Sequence, residues 1–219
     1  MLRRRIGIMG GTFNPIHYAH LYMAECAREQ FSLDRVIFIP SGFSYLKKDQ
    51  NIPEGEIRYQ LCKMATSGNP FFTVSRIEID RPGDTYTIET LEQLSELYPG
   101  DDIYFILGAD SLNYLDKWVR YEDICKACTI LAAVRNDTDM DGLKQRIAYL
   151  KSQVPEARIE PIMMGHMDIS STMIRDKIRQ NKSVKYLLPD ECIEYIISQN
   201  LYSEDNNSSD IMDAPDKIV

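Results

Sequence analysis

The sequence predicts an α/β fold, a doubly wound and mainly parallel sheet with helices on both faces and a helical C-terminal segment. Three observations lead there. Short apolar runs of strand length alternate with stretches of helical period along almost all of the 219 residues. The first of these runs, Ile6 to Met9, lacks polar alternation, which fits a parallel strand buried on both sides. The residues with chemical potential follow directly on the ends of those runs, where ligands bind in sheets of this kind.

Each element has a local reason. Ile6 to Met9 is a strand closed by Gly10-Gly11, and His20 to Phe31 carries Leu21, Ala24, Ala27 and Phe31 on one helical face. Val36 to Ile39 is a second strand stopped by Pro40, followed by a helix over Ile57 to Ala65 and a third strand at Phe71 to Val74. A helix over Thr87 to Tyr98 sets Ile88, Leu91, Leu94 and Leu97 on its inner side. Asp102 to Leu107, ended by Gly108, is the fourth strand, and Thr129 to Val134 is the fifth, entered from a helical pattern. A helix over Gly142 to Leu150, a last strand at Arg158 to Met163 and helices near Ser171 to Gln180 and Asp190 to Gln199 complete the order. Residues 1–202 form one domain, and the acidic segment 203–219 is expected to be a disordered tail.

Composition narrows the class. No apolar run reaches membrane-spanning length, and Met-Leu-Arg-Arg-Arg leads straight into a strand with no signal-peptide core, so a cytoplasmic protein is expected. A net charge of −8 weighs against nonspecific nucleic-acid binding. Five scattered cysteines imply free thiols, and Cys125-Lys126-Ala127-Cys128 has no second pair to make a zinc site, so half-buried structural thiols are expected there. Arg3, Arg4 and Arg5 are expected to solvate the start of an inner strand. Whether the chain forms a homo-oligomer is left open.

The densest chemistry lies in Gly10-Gly11-Thr12-Phe13-Asn14-Pro15-Ile16-His17-Tyr18-Ala19-His20. Two glycines let backbone approach a ligand closely, Pro15 fixes the following turn, and His17 and His20 stand three apart at a helix start. A helix N-terminus suits an anion, so the stretch reads as a triphosphate cradle with two imidazoles aimed at it. Far along the chain, Ser170, Ser171 and Thr172 begin another helix, with Arg175 one turn later. Capping explains one hydroxyl; three with a guanidinium exceed that need and suit two phosphates.

These stretches resemble the G-G-S/T-F-D/N-P-x-H-x-G/A-H and I-S-S-T-x-I/V-R motifs of the HxGH nucleotidyltransferase superfamily, whose fold is Rossmann-like. Gly83-Asp84-Thr85-Tyr86-Thr87 and Gly108-Ala109-Asp110-Ser111-Leu112, with Lys117-Trp118, are similar to segments of bacterial nicotinate-nucleotide adenylyltransferases, and the resemblance runs from Ile6 to Tyr202. It implies transfer of the adenylyl group of ATP to nicotinate mononucleotide, giving deamido-NAD and pyrophosphate. Mg²⁺ would arrive with the ATP and not in a protein-only site. His17, His20 and Lys47 would be catalytic. Gly10, Gly11, Thr12, Phe13, His20, Gly108, Asp110, Ser170, Ser171, Thr172 and Arg175 would bind ATP. Asn14, Lys47, Thr85, Thr87, Trp118 and Arg135 would bind the acceptor, Trp118 by stacking on the pyridine and free backbone N–H groups near Thr87 and Trp118 by holding its carboxylate.

Competing readings of single residues are a core tryptophan for Trp118, a helix N-cap for Asp110 and a surface cation for Arg135. The loop after the second strand departs from the family's P-x-x-x-P-P-H-K/R: Ser44-Tyr45 replaces Pro-Pro and Leu46 replaces His, while Lys47 keeps the cation. Asn14 and Ala19 are milder changes. Two alternatives stand beside the main reading. One is an adenylyl- or cytidylyltransferase with another phosphorylated acceptor. The other is a non-catalytic nucleotide-binding sensor of the same fold.

Overall fold

Apolar strands that bury both faces need helices above and below them, and the chain supplies both. The computed structural model describes residues 3–42, 52–134 and 140–203. Six strands, β1 (Arg5–Gly11), β2 (Arg35–Pro40), β3 (Phe72–Val74), β4 (Asp102–Gly108), β5 (Thr129–Val134) and β6 (Arg158–Met163), form one sheet in the order β3-β2-β1-β4-β5-β6. Every neighbouring pair is parallel. Side chains alternate strictly between two cores. Ile6, Ile8, Ile37, Ile39, Phe105, Ile130 and Ala132 face one side, with α3 (Thr87–Leu97), α5 (Tyr121–Ala127) and α6 (Met140–Gln153) packed there. Met9, Val36, Phe38, Ile106, Leu131 and Ala133 face the other, under α1 (Tyr18–Gln30), α2 (Gly55–Thr66), α7 (Ser171–Arg179) and α8 (Asp190–Ser198). This is the doubly wound parallel sheet that the alternation of elements predicts.

Gly7 shows why β1 must be lean on the second face: a Cβ there would meet Leu33 Cδ1 at 2.8 Å. Arg3, Arg4 and Arg5 do more than solvate the entry to β1. Arg3 and Arg4 pair with Asp102 and Asp101 at 2.6 and 2.7 Å. The Arg5 N–H donates to Asp34 at 2.7 Å, so β1 is tied to the starts of both its neighbours.

Several boundaries differ from expectation. Gly10 and Gly11 belong to β1 itself, paired with Ile39 and Pro40, because backbone pairing does not require a side chain. The stretch between β4 and β5 folds as α4 (Ala109–Asn113), a 3-10 turn (Leu115–Lys117) and α5, elements too short to show a full helical period. Leu97 is 63% exposed, since the last turn of α3 runs past the edge of the core. Cys125 and Cys128 are fully buried, not half-buried, because α5 leads into β5 against the first core. The crossovers leave β1 in one direction and β4 in the other. The switch point therefore lies between these strands, and their carboxyl ends open on the candidate site.

Candidate active site

The exit of β1 is shaped by its small and aromatic residues. Phe13 takes a left-handed backbone (φ 47), which costs roughly 1–2 kcal/mol for a residue with a Cβ. Burial offsets it: the ring lies 5.9 Å from Phe38 and meets the His20 ring edge-on at 5.2 Å. The Asn14–Pro15 peptide is cis. Asn14 is buried, and its side-chain oxygen has no hydrogen-bond partner among the described residues.

His17 is the N-cap of α1, with extended backbone, and is 5% exposed. The two imidazoles stack at 3.7 Å. His20 Nδ1 accepts from the His17 backbone N–H at 3.3 Å, so a neutral His20 carries its proton on Nε2. The capping bond thus sets the tautomer.

The second motif is bonded directly to the first. Ser170 caps α7, its hydroxyl oxygen accepting from Met173 N–H at 3.1 Å. The Ser171 hydroxyl donates to the Pro15 carbonyl at 2.8 Å. Arg175 donates to the Asn14 carbonyl at 2.8 Å and to the Thr172 hydroxyl at 3.2 Å. The N-terminus of α7 is therefore clamped beside the start of α1. Ser171 spends its hydroxyl proton on this junction, which leaves its backbone N–H and lone pairs for a ligand.

A cavity of about 690 Å³ opens alongside. Gly10, Gly11 and Thr12 form one wall, Thr85 and Thr87 at the start of α3 another, and Asp110 and Trp118 a third. Gly108 is the N-cap of α4, so Asp110 is not the cap, and Asp110 lines the cavity. Trp118 packs edge-on against Phe105 at 6.2 Å, partly buried against the first core, and also lines the cavity. Its backbone N–H is not free: it donates to the Leu115 carbonyl at 3.0 Å, closing the 3-10 turn. Phe13, Asn14, His17, His20 and the α7 residues stand outside the cavity lining, around the α1–α7 junction, and Gly108 stands outside it at the end of β4. Lys47 and Arg135 lie outside the described residues, as does the Ser44 to Lys48 departure.

Two residues near the site escape sequence reasoning. Arg58, 3% exposed on α2, donates to the carbonyls of Pro53 and Thr12, each at 2.9 Å, and of Ser41 at 2.6 Å. Its burial pulls its pKa below the ordinary arginine value. The signal was a charge at helical spacing with Leu61 and Cys62, on an apolar face. Glu78 lines the cavity and accepts from the Thr90 hydroxyl at 2.8 Å, and burial raises its pKa. An acid between Ile77 and Ile79 was its only mark.

Comparison with known proteins fits this geometry. A family model described as cytidylyltransferase-like matches residues 8–177. A relative from Lachnoclostridium phytofermentans is 42% identical over 91% of this chain and 99% of its own. One from Moorella thermoacetica is 43% identical over 90% of this chain and 91% of its own. Both carry the name "Probable nicotinate-nucleotide adenylyltransferase". Among solved structures, the nicotinic acid mononucleotide adenylyltransferase of Plasmodium falciparum in complex with NaAD superposes with a TM-score of 0.73. It is 19% identical, covers 91% of this chain and 98% of its own, and shows the shared fold. The paired HxxH and Ser-Ser-Thr-x-x-Arg clamp, the six-strand sheet and these relatives agree: the chain belongs to the nicotinate-nucleotide adenylyltransferase family of cytidylyltransferase-like proteins.

Proposed function

We propose that this protein transfers the adenylyl group of ATP to nicotinate mononucleotide, forming deamido-NAD and releasing pyrophosphate. The observation that carries the reading is the bonded junction of the two motifs, Ser171 to Pro15 and Arg175 to Asn14, at the edge of a cavity ending on Trp118. It puts an anion-binding helix start and two imidazoles beside a pocket with a flat aromatic wall, and so suits a triphosphate next to a pyridine nucleotide.

The acceptor's phosphate is already a nucleophile. One of its oxygens bonds to the α-phosphorus of ATP, the bond from that phosphorus to the α–β bridging oxygen breaks, and the electron pair leaves with pyrophosphate. No enzyme-bound intermediate is needed, so the protein's work is alignment and stabilisation of spreading charge. His20 Nε2–H would donate to the α-phosphate, with His17 beside it. The N-terminus of α7, with Ser170, Thr172 and Arg175, would hold the leaving pyrophosphate. Gly10, Gly11, Thr12 and Phe13 would admit the nucleotide, Gly108 and Asp110 would hold its ribose side, and Lys47 would add positive charge. Asn14, Thr85, Thr87, Trp118 and Arg135 would receive the acceptor, its carboxylate at the N-terminus of α3 and not at the Trp118 N–H. Among the described residues no group of three or more His, Cys, Asp or Glu side chains is placed to hold a metal, and Mg²⁺ would enter as part of the nucleotide complex. No helix of the described residues is long and apolar enough to cross a membrane, and a cytoplasmic location is part of the reading.

The experiment is pyrophosphate release from Mg-ATP with nicotinate mononucleotide, its amide and phosphopantetheine as acceptors. Turnover preferring nicotinate mononucleotide is expected. Turnover only with phosphopantetheine, or ATP binding without turnover on any acceptor, would replace the reading with one of its alternatives.

A further inference from the structure

A charged side chain in a protein interior is nearly always paired with an opposite charge, because desolvation costs several kcal/mol per ion. Arg58 breaks that pattern. It is 3% exposed, and among the described residues no carboxylate lies within ion-pair distance of it, although Glu78 is near enough to favour its charged form. Its donors go instead to neutral oxygens: Nε to the Pro53 carbonyl, Nη1 to the Thr12 carbonyl, and Nη2 to the Ser41 carbonyl, with a longer Nη1 contact to the Ser41 hydroxyl at 3.4 Å. A leucine or methionine would fill the same volume at lower desolvation cost if packing were the only need.

We propose that Arg58 is a positioning residue of the adenylyl-transfer site: its buried guanidinium locks the exit of β1 to the exit of β2 and keeps a positive charge, hydrogen-bonded only to neutral oxygens, behind the wall that faces the anionic substrates. Thr12 and Ser41 both line the cavity, and both turn their carbonyls back onto Arg58. That removes two partial negative charges from the face a phosphate must approach. In a trans peptide the C=O and the following N–H point in opposite directions, so anchoring the Thr12 carbonyl aims the Phe13 N–H away from Arg58. One fork thereby fixes the orientation of peptide groups from two separate strands. Lysine, a compact point charge with three rotatable donors on a flexible stem, holds the charge but not that planar arrangement. Because the hydrogen bonds of Arg58 go to neutral groups and no carboxylate pairs with it directly, its charge also acts on the substrates' phosphates.

This inference rests on the proposed reaction, and wild-type turnover in the same assay tests that reaction separately. The full-length variants Arg58→Lys and Arg58→Met are compared with wild type by thermal unfolding, by calorimetric ATP binding and by steady-state kinetics. In folded Arg58→Lys, kcat is expected to fall at least about tenfold, the scale of a small misalignment, with ATP affinity within about threefold of wild type. In folded Arg58→Met, ATP affinity is also expected to fall about tenfold or more, as the charge is lost. The ATP-binding comparison holds even where no acceptor turns over. Wild-type kcat in folded Arg58→Lys, or unchanged ATP affinity in folded Arg58→Met, overturns the proposal. Should neither variant fold, a wild-type crystal structure with a non-hydrolysable ATP analogue decides. Arg58 still within about 3.2 Å of both the Thr12 and Ser41 carbonyls supports the proposal, and its release from either overturns it.

Discussion

His20 concentrates two duties in one ring. Its Nδ1 takes the otherwise orphaned N–H of His17 at the start of α1, and that same bond commits its proton to Nε2. His20→Ala is therefore expected to act twice. It lowers kcat by roughly 10²–10³, the effect of losing one preorganised donor. It also lowers stability by about 1 kcal/mol, the worth of a cap. Rates of pyrophosphate release and urea unfolding of the same preparation check the pair of effects, and near-wild-type turnover would remove His20 from the chemistry. The histidine pair and the hydroxyl cluster were legible in the sequence because each is too dense in chemistry for its local structural task. Arg58 and Glu78 were not, because their significance lies in which backbone groups they meet, and contacts from Arg58 to Thr12 and Ser41 leave no periodic trace.

At the level of elements, the sheet was legible because its inner strands β1, β2, β4 and β5 are apolar on both sides, and alternation between two cores needs such strands. The stretch between β4 and β5 was not, since α4, the 3-10 turn and α5 are three, five and seven residues long in some order and none completes two turns. That same stretch sets Trp118 at the cavity while consuming its N–H, a detail that hangs on one turn of backbone. The joint between α7 and the loop before α1 carries a prediction at this scale. Ser171→Ala leaves the Pro15 carbonyl without its donor, and the loss should cost about 1–3 kcal/mol in urea unfolding. Stability unchanged from wild type would show that the two motifs do not hold each other.

For the whole molecule, the thiols record how well the two cores are sealed. All five cysteines are free, and burial pushes Cys128 and Cys192 up to about 12 from an ordinary 9.0. A raised folded value means that this contribution is intact below pH 9 and is lost as the unfolded thiols begin to ionise. Thermal stability should thus decline as pH rises from about 9 towards 12. Under native conditions near pH 8 a thiol reagent should reach Cys26 at most, the one half-buried cysteine, with the other four reacting only after unfolding. Rapid native labelling of four or five thiols would contradict the sealed cores. The bond from Arg175 to Asn14 spans 161 positions of sequence. Asn14 is thus synthesised well before Arg175, so a chain still emerging from the ribosome displays the glycine-bearing strand end without the helix bonded to it. In the proposed reading the phosphate grip is complete only once α7 folds back against that strand end.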